Sequence, residues 1–221
     1  MKKKYIIGIH AAKYAGKTTA ATILSDRYPD FLTASFAMKI KEVALAMNFP
    51  KEAVYGEEKE TWMHPILGVT FRVFAQQFGT EFIRNTFNDK AWIRYIEHLF
   101  DDITTVNQLI NGFIIDDIRF ENEAQTVRDY CKEKGYTAIL IKIHREEFDF
   151  TKEHSSEFGL PDSLFDIVIN NDGGVEGFRK QLEAYMEAVE DKHPLLRRIK
   201  VIKDKERAGW INTSPDFSAR A

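Results

Sequence analysis

The sequence predicts a three-layer α/β fold: five short strands in one mostly parallel sheet, helices on both faces, and a long helical insertion after the second strand. Three observations carry this expectation. Apolar runs of strand length recur at residues 5–9, 31–36, 113–117, 137–143 and 165–169. Helical patterns separate most of them. Between residues 37 and 111 the alternation stops, and helical patterning continues without a convincing strand.

Taken in order, residues 5–9 form an apolar first strand, and residues 18–28 a helix after it. The strand at 31–36 precedes the insertion. Phe113-Ile114-Ile115 and Ile139-Leu140-Ile141 are almost continuously apolar, as parallel strands covered on both faces must be. Between them, residues 122–134 place Ala124, Val127 and Cys131 on one helix face and stop at Gly135, a residue suited to a helix C-terminus. After the strand at 165–169, the repeat of Val175, Phe178, Leu182, Tyr185 and Val189 marks one stripe of a final helix. This gives one domain over residues 1–192. The extension 193–221, first basic and then rich in Gly, Ser and Pro, is compatible with capping the domain, with meeting a second subunit in a homodimer, or with loose order.

Composition narrows the partners. Thirty-one basic residues against 34 acidic ones leave a formal charge of −3, which speaks against nucleic acid or an anionic membrane as a bulk electrostatic partner. A compact anionic ligand needs only a few placed cations and stays open. The single cysteine, Cys131, rules out an internal disulfide and an all-cysteine metal site, and points to a reducing, cytoplasmic setting. The apolar run behind Met1-Lys2-Lys3-Lys4 is too short for a secretion signal, and no stretch reaches the length of a membrane span.

The strongest motif is Ala11-Ala12-Lys13-Tyr14-Ala15-Gly16-Lys17-Thr18-Thr19, placed between a strand and a helix. It matches the phosphate-loop pattern G-x-x-x-x-G-K-[ST] except at Ala11. Gly16 lets backbone N–H groups from Lys13, Ala15 and their neighbours turn onto phosphate oxygens, and the helix N-terminus adds partial positive charge. Lys17 would reach the β- and γ-phosphates of ATP, with the Thr18 hydroxyl on Mg²⁺ and Thr19 beside it. The chain lacks an Asn-Lys-x-Asp guanine motif and an Asp-x-x-Gly switch, which argues against a signalling GTPase.

A second acidic strand, Phe113-Ile114-Ile115-Asp116-Asp117-Ile118-Arg119-Phe120, supplies the carboxylate that such a loop needs beside the metal. Strand alternation allows one aspartate to face it. Because Arg119 shares the side of Asp117, that residue is the expected ligand and Asp116 the second choice. In the insertion, Arg72, Gln76, Thr80 and Arg84 recur every four residues, opposite Phe74, Phe78 and Phe82. Glutamine, threonine and arginines without a Glu–Lys scatter suggest recognition of a base and a phosphate, although a solvated helix face reads similarly. Gly79 could split this segment, with Thr80 capping a second helix.

In this order, together with His154-Ser155-Ser156-Glu157 and Asn170-Asn171-Asp172-Gly173, these segments resemble the phage-type deoxynucleoside monophosphate kinases, relatives of the nucleoside-monophosphate kinases. The resemblance covers most of residues 5–190. It implies a P-loop kinase fold, ATP and Mg²⁺ as cosubstrates, and a deoxynucleoside 5′-monophosphate acceptor, with a use in phage DNA precursor synthesis in the host cytoplasm. It further implies that Arg72, Gln76, Thr80 and Arg84 hold the acceptor, with Lys39 or Lys41 near its phosphate. Arg145 would act from a lid at about 144–160, and Asn171, Asp172 and Gly173 would surround the adenine. His154 and Glu157 would hydrogen-bond near the substrate; a loop contact is the alternative for His154, which has no second ligand at metal-binding spacing. The chain departs from the family pattern at Ala11 and at Thr18-Thr19, where members often carry Asp-Thr. Two further readings remain on the residues alone: a P-loop kinase for a different phosphorylated metabolite, and a regulatory protein that binds ATP without turnover.

Overall fold

The computed structural model describes residues 4–12, 14–145, 159–194 and 196. Its centre is a sheet of five parallel strands in the order β2-β3-β1-β4-β5. These are β1 (Tyr5–Ala11), β2 (Phe31–Ala34), β3 (Gly112–Ile115), β4 (Thr137–His144) and β5 (Ile167–Asn170). Each coincides with an expected apolar run to within a few residues. Strand β1 lies between β3 and β4, so its residues are covered on both faces, and Tyr5 through His10 are all buried.

The connections set the layers. From β1 the chain passes through α1 (Lys17–Arg27) to β2 at one edge; from β3 it passes through α6 (Glu121–Lys134) to β4 on the other side of β1. Right-handed crossovers running in opposite directions place these two helices on opposite faces. Ala20, Ala21, Ile23 and Leu24 of α1 are buried, while Ala124, Val127, Tyr130 and Cys131 of α6 join a core with Ile6, Phe113, Ile115 and Leu140. Two devices fix the ends of α6. Gly135 closes it with φ of 70°, and at its start the Glu123 carboxylate accepts the N–H groups of Arg119 and Phe120 at 2.7 and 3.1 Å.

The insertion between β2 and β3 is helical, as expected, apart from one antiparallel bridge between Met63 and Thr70. It comprises α2 (Met38–Ala46), α3 (Lys51–Tyr55), a 3₁₀ turn (Glu57–Glu60), α4 (Phe71–Phe74) and α5 (Ala91–Val106). Thr70 caps α4, its hydroxyl accepting the N–H of Val73. Helix α4 does not break at Gly79. It widens into a continuous π-helix, Ala75–Phe87, whose exit is marked by the N–H of Asn88 donating to the carbonyl five residues earlier, on Ile83. Gly79 permits close packing there: a Cβ would lie 2.4 Å from Ile40 Cδ1, and the Gly79 carbonyl accepts the Trp92 indole N–H at 2.8 Å. Helix α5 buries Trp92, Ile93, Ile96 and Phe100, and Phe100 stacks on Phe113 with ring centres 3.8 Å apart, which anchors the insertion to the sheet.

The last helix, α7 (Gly174–Lys192), follows β5. By internal contacts the chain divides within it, into one unit ending at Leu182 and another beginning at Glu183. The described part of the second unit is the rest of α7 and a final turn, in which His193 N–H meets the Val189 and Glu190 carbonyls. No helix among the described residues is long and apolar enough to cross a membrane.

Candidate active site at the carboxyl edge of the sheet

In an open parallel sheet, ligands bind beyond the carboxyl ends of the strands, where the chain order reverses. Here the reversal falls around β1, and the loop from Ala12 to Gly16 leaves that edge. It is a tight turn: Ala15 N–H donates to the Ala12 carbonyl at 3.2 Å, Tyr14 has φ of 62° and Gly16 φ of 105°. Gly16 is also hemmed in, since a Cβ would lie 2.4 Å from Asn171 Nδ2. It immediately precedes Lys17, the first residue of α1, so the helix N-terminus points at the turn. Thr18 is exposed on the first turn of α1 and Thr19 is partly buried.

Two neighbouring strands brace this loop. Asn171, just past β5, donates from Nδ2 to the Ala15 carbonyl at 2.8 Å and from its backbone to His144 at 2.8 Å. Arg145, just past β4, donates to the Tyr14 carbonyl at 3.3 Å. Thus Arg145 and Asn171 converge on the phosphate loop itself, while Asp172 and Gly173 are exposed before α7.

The two aspartates separate differently from the expectation. Strand β3 ends at Ile115, so alternation no longer governs Asp116 and Asp117. Both oxygens of Asp117 serve the β2–α2 turn: it accepts from Ser35 Oγ at 2.6 Å, Phe36 N–H at 2.7 Å and Ala37 N–H at 3.0 Å. Asp117 is buried and satisfied, which disfavours the expected ligand role. Asp116 Oδ1 is buried with no hydrogen-bond partner. Burial and the Asp117 charge raise the Asp116 pKa, and Lys17 and Lys41 oppose the rise. Asp116, the second choice, is therefore the carboxylate aimed among the cations.

The insertion brings Lys41 and Arg72 toward this edge. Lys41 interacts with Asp116, whereas Lys39 pairs with Glu42 at 2.6 Å on the surface. Arg72 Nε meets Glu60 Oε1 at 3.2 Å. Gln76 is partly buried and Thr80 is buried. Arg84 lies apart from Arg72: it rests 3.7 Å over the Phe120 ring, donates to Asn122 Oδ1 at 2.9 Å and to the Asp89 carbonyl at 2.8 Å, and lies 3.9 Å from Glu123. Those partners make it a clamp between the insertion and α6. Lys13, His154 and Glu157 lie outside the described residues, as do most of the expected lid and of the extension after residue 192.

Three contributors carried no role in the sequence reading. His10 is buried at the end of β1, its Nδ1 against the Ile118 carbonyl at 2.9 Å and its Nε2 accepting Leu160 N–H at 3.3 Å. That pattern is the neutral ring with its proton on Nδ1, and burial pushes the pKa down to about 4. Glu123 is buried beneath Arg119, and burial pushes its carboxyl up to about 7. Lys59, exposed on the 3₁₀ turn, has its pKa lowered by desolvation and by Lys41, Arg72 and Arg119, with Asp116 opposing. Only Glu123 left a trace in the sequence, as the acidic half of a capping box without its Ser/Thr partner.

A family model described as deoxynucleotide monophosphate kinase matches residues 51–182. A "putative deoxynucleotide monophosphate kinase" of Acanthamoeba polyphaga mimivirus is 32% identical over 188 residues, spanning 80% of this chain and 93% of the relative. The deoxynucleotide monophosphate kinase of Escherichia phage RB69 is 26% identical over 52% of this chain, and that match spans 43% of the phage protein's length. Among solved structures, the APS kinase CysC of Mycobacterium tuberculosis in complex with AMPPNP and APS aligns with a TM-score of 0.49 and 8% identity, over 85% of this chain and 99% of that one.

Proposed function

The chain belongs to the deoxynucleotide monophosphate kinase family, and from that premise we propose that it moves the γ-phosphoryl group of ATP onto a deoxynucleoside 5′-monophosphate. The products are ADP and the deoxynucleoside diphosphate. The observation that carries the reading is one edge of one sheet. It holds a phosphate loop braced by Arg145 and Asn171, and beside it Asp116, whose buried Oδ1 has no hydrogen-bond partner and whose charge Lys17 and Lys41 favour.

Mg²⁺ fits these residues. No group of three His, Cys, Asp or Glu side chains among the described residues could hold a metal. A hard cation that takes one or two protein oxygens and completes its shell with phosphates and water suits such a site. Asp116 and the Thr18 hydroxyl would hold it, and when bound it would neutralise phosphate charge. The remaining work falls to the chain. Lys17 and the N–H groups at the start of α1 bind the ATP phosphates. Arg119 and Arg145 approach the transferring group from opposite sides of β1 and neutralise charge that develops in the transition state. Lys41 and Arg72 orient the acceptor phosphate, with Gln76 and Thr80 toward its base. The acceptor needs no strong base, because a phosphate monoester with a second pKa near 6 is already largely ionised at neutral pH. Catalysis is then alignment of two polyanions.

The diphosphate is one phosphorylation short of a DNA precursor, so the proposed role is supply of precursors for viral DNA synthesis, supported by the phage and mimivirus sources of the relatives. The test is ADP production from ATP and Mg²⁺ against a panel of ribo- and deoxynucleoside monophosphates, including 5-substituted pyrimidines. Acceptor-dependent ADP release with one or more deoxynucleotides is expected. ADP release that ignores the acceptor, or none across the panel from protein that binds ATP, would refute it.

A further inference from the structure

We propose that Glu123 is a positioning residue for Arg119, fixing through the main chain where that arginine stands against the phosphate loop. This rests on the role given to Arg119 in the proposed phosphoryl transfer. Glu123 sits on the first turn of α6 and is 2% exposed. A glutamate at this position of a helix ordinarily accepts the N–H of the capping residue, here Phe120. Glu123 Oε2 does so at 3.1 Å, but its shorter bond, 2.7 Å, goes one residue further back, to the N–H of Arg119. The carboxyl therefore reaches out of the helix and holds the segment that carries the arginine. Capping alone would be served equally by glutamine, which has no charge to bury. The acid stands there instead, and burial pushes its carboxyl up to about 7.

The same segment is held from its other side by the strand that runs into the phosphate loop. Ile118 donates its N–H to the Ile9 carbonyl at 3.0 Å, and its own carbonyl accepts from His10 Nδ1 at 2.9 Å. Ile9 and His10 lie near the end of β1, just before Ala12 and the turn to Gly16. The residue preceding Arg119 is thus registered to the phosphate loop, while the N–H of Arg119 and that of the residue after it are registered to α6 by one oxygen of Glu123. Phe120 is covered in turn by Arg84, 3.7 Å over its ring, and Arg84 Nη1 lies 3.9 Å from Glu123 Oε1. Removing the Glu123 carboxyl leaves Ile118 tied and frees the next two N–H groups, so the slack falls on Arg119 itself. A group that neutralises charge in a transition state is sensitive to such slack, because a displacement of about 1 Å costs up to ~100-fold in rate.

The test is a double-mutant cycle in the full chain: the parent, Glu123→Ala, Arg119→Ala and the double variant, each with ATP, Mg²⁺ and the best acceptor of the panel. Glu123→Ala should lower kcat at least ~10-fold while the KM values for ATP and acceptor change less than ~3-fold. In the Arg119→Ala background the same change should alter kcat less than ~2-fold, because Glu123 acts only through the arginine. Glu123→Gln, whose amide oxygen can accept both N–H groups, should keep most of the parent kcat. Glu123→Asp keeps the carboxyl but is one carbon too short, so it should lose kcat as alanine does, and it takes the place of Glu123→Ala in the cycle if that variant does not fold. A cap that serves only the fold gives a different pattern: lower stability in urea with an unchanged kcat per folded molecule, or equal losses of kcat in both backgrounds. Either result overturns the assignment. An active parent with a normal kcat in Arg119→Ala removes the arginine's role and that of Glu123 with it. A parent without acceptor-dependent ADP release removes the function reading and both roles together.

Discussion

At the scale of single residues, the two adjacent aspartates are the sharpest case. They share a charge and a position in the chain, yet their surroundings give them different tasks. Asp117 accepts three hydrogen bonds from the turn after β2, and an asparagine there would leave at least one buried N–H or hydroxyl without an acceptor. Asp117→Asn should therefore lose about 2–4 kcal/mol in urea unfolding. Asp116→Asn removes a buried, unpartnered oxygen that a metal would need. It should fold with unchanged or greater stability and lose turnover by at least ~100-fold. The reverse pattern, a stable inactive Asp117→Asn and an unstable active Asp116→Asn, would return the ligand role to Asp117. Gly16 offers a companion test. With φ of 105° and Asn171 Nδ2 across from it, Gly16→Ala should weaken ATP binding, read as a rise in the KM for ATP.

At the scale of elements, the insertion helix changes what the four-residue spacing means. Arg72, Gln76, Thr80 and Arg84 would line one face of an α-helix, but from Ala75 onward the helix is wide and a four-residue step falls short of a turn. The stripe drifts, and its ends part: Arg72 meets Glu60 near the site, whereas Arg84 reaches the start of α6. Arg84→Ala should then cost about 2–4 kcal/mol of stability through the lost clamp and leave the acceptor KM nearly unchanged, in paired unfolding and kinetic measurements. A large KM effect with normal stability would restore Arg84 to the acceptor site. The sheet, by contrast, was legible. Parallel strands buried on both faces need runs such as Phe113-Ile114-Ile115, and such a run between helices is long enough for a strand but too short for a buried helix. The phosphate loop was legible because its chemistry demands Gly16, Lys17 and a hydroxyl in one local string. His10 was not legible, because its partners, the Ile118 carbonyl and the Leu160 N–H, are distant in the chain and follow no local pattern. The expectation that Asp117 faces the metal extended strand alternation past Ile115, where the strand ends.

At the scale of the whole molecule, two buried groups oppose each other in pH dependence. His10 is held neutral, with its pKa lowered to about 4, so the unfolded chain binds its proton first and stability falls as pH drops from about 6.5 to 4. Glu123 is held protonated up to about 7, so stability falls as pH rises from about 4.5 to 7. Each is worth about 3 kcal/mol across its window, with opposite sign. These two groups should nearly cancel between pH 4.5 and 6.5. Relative to the parent, His10→Gln should make stability fall more steeply with rising pH across that range, and Glu123→Gln should make it rise, as read by urea unfolding at fixed pH values. Parallel profiles for all three proteins would contradict this. On the proposed function, the fold brings the phosphate loop and the acceptor to the same sheet edge, and the most direct test follows the phosphoryl group itself. ATP labelled in its γ-phosphoryl group, incubated with Mg²⁺ and an accepted deoxynucleoside monophosphate, should yield labelled deoxynucleoside diphosphate. In Lys17→Ala that transfer should fall by at least ~100-fold while the protein stays folded. Label appearing only as inorganic phosphate, or transfer undiminished in Lys17→Ala, would contradict the account.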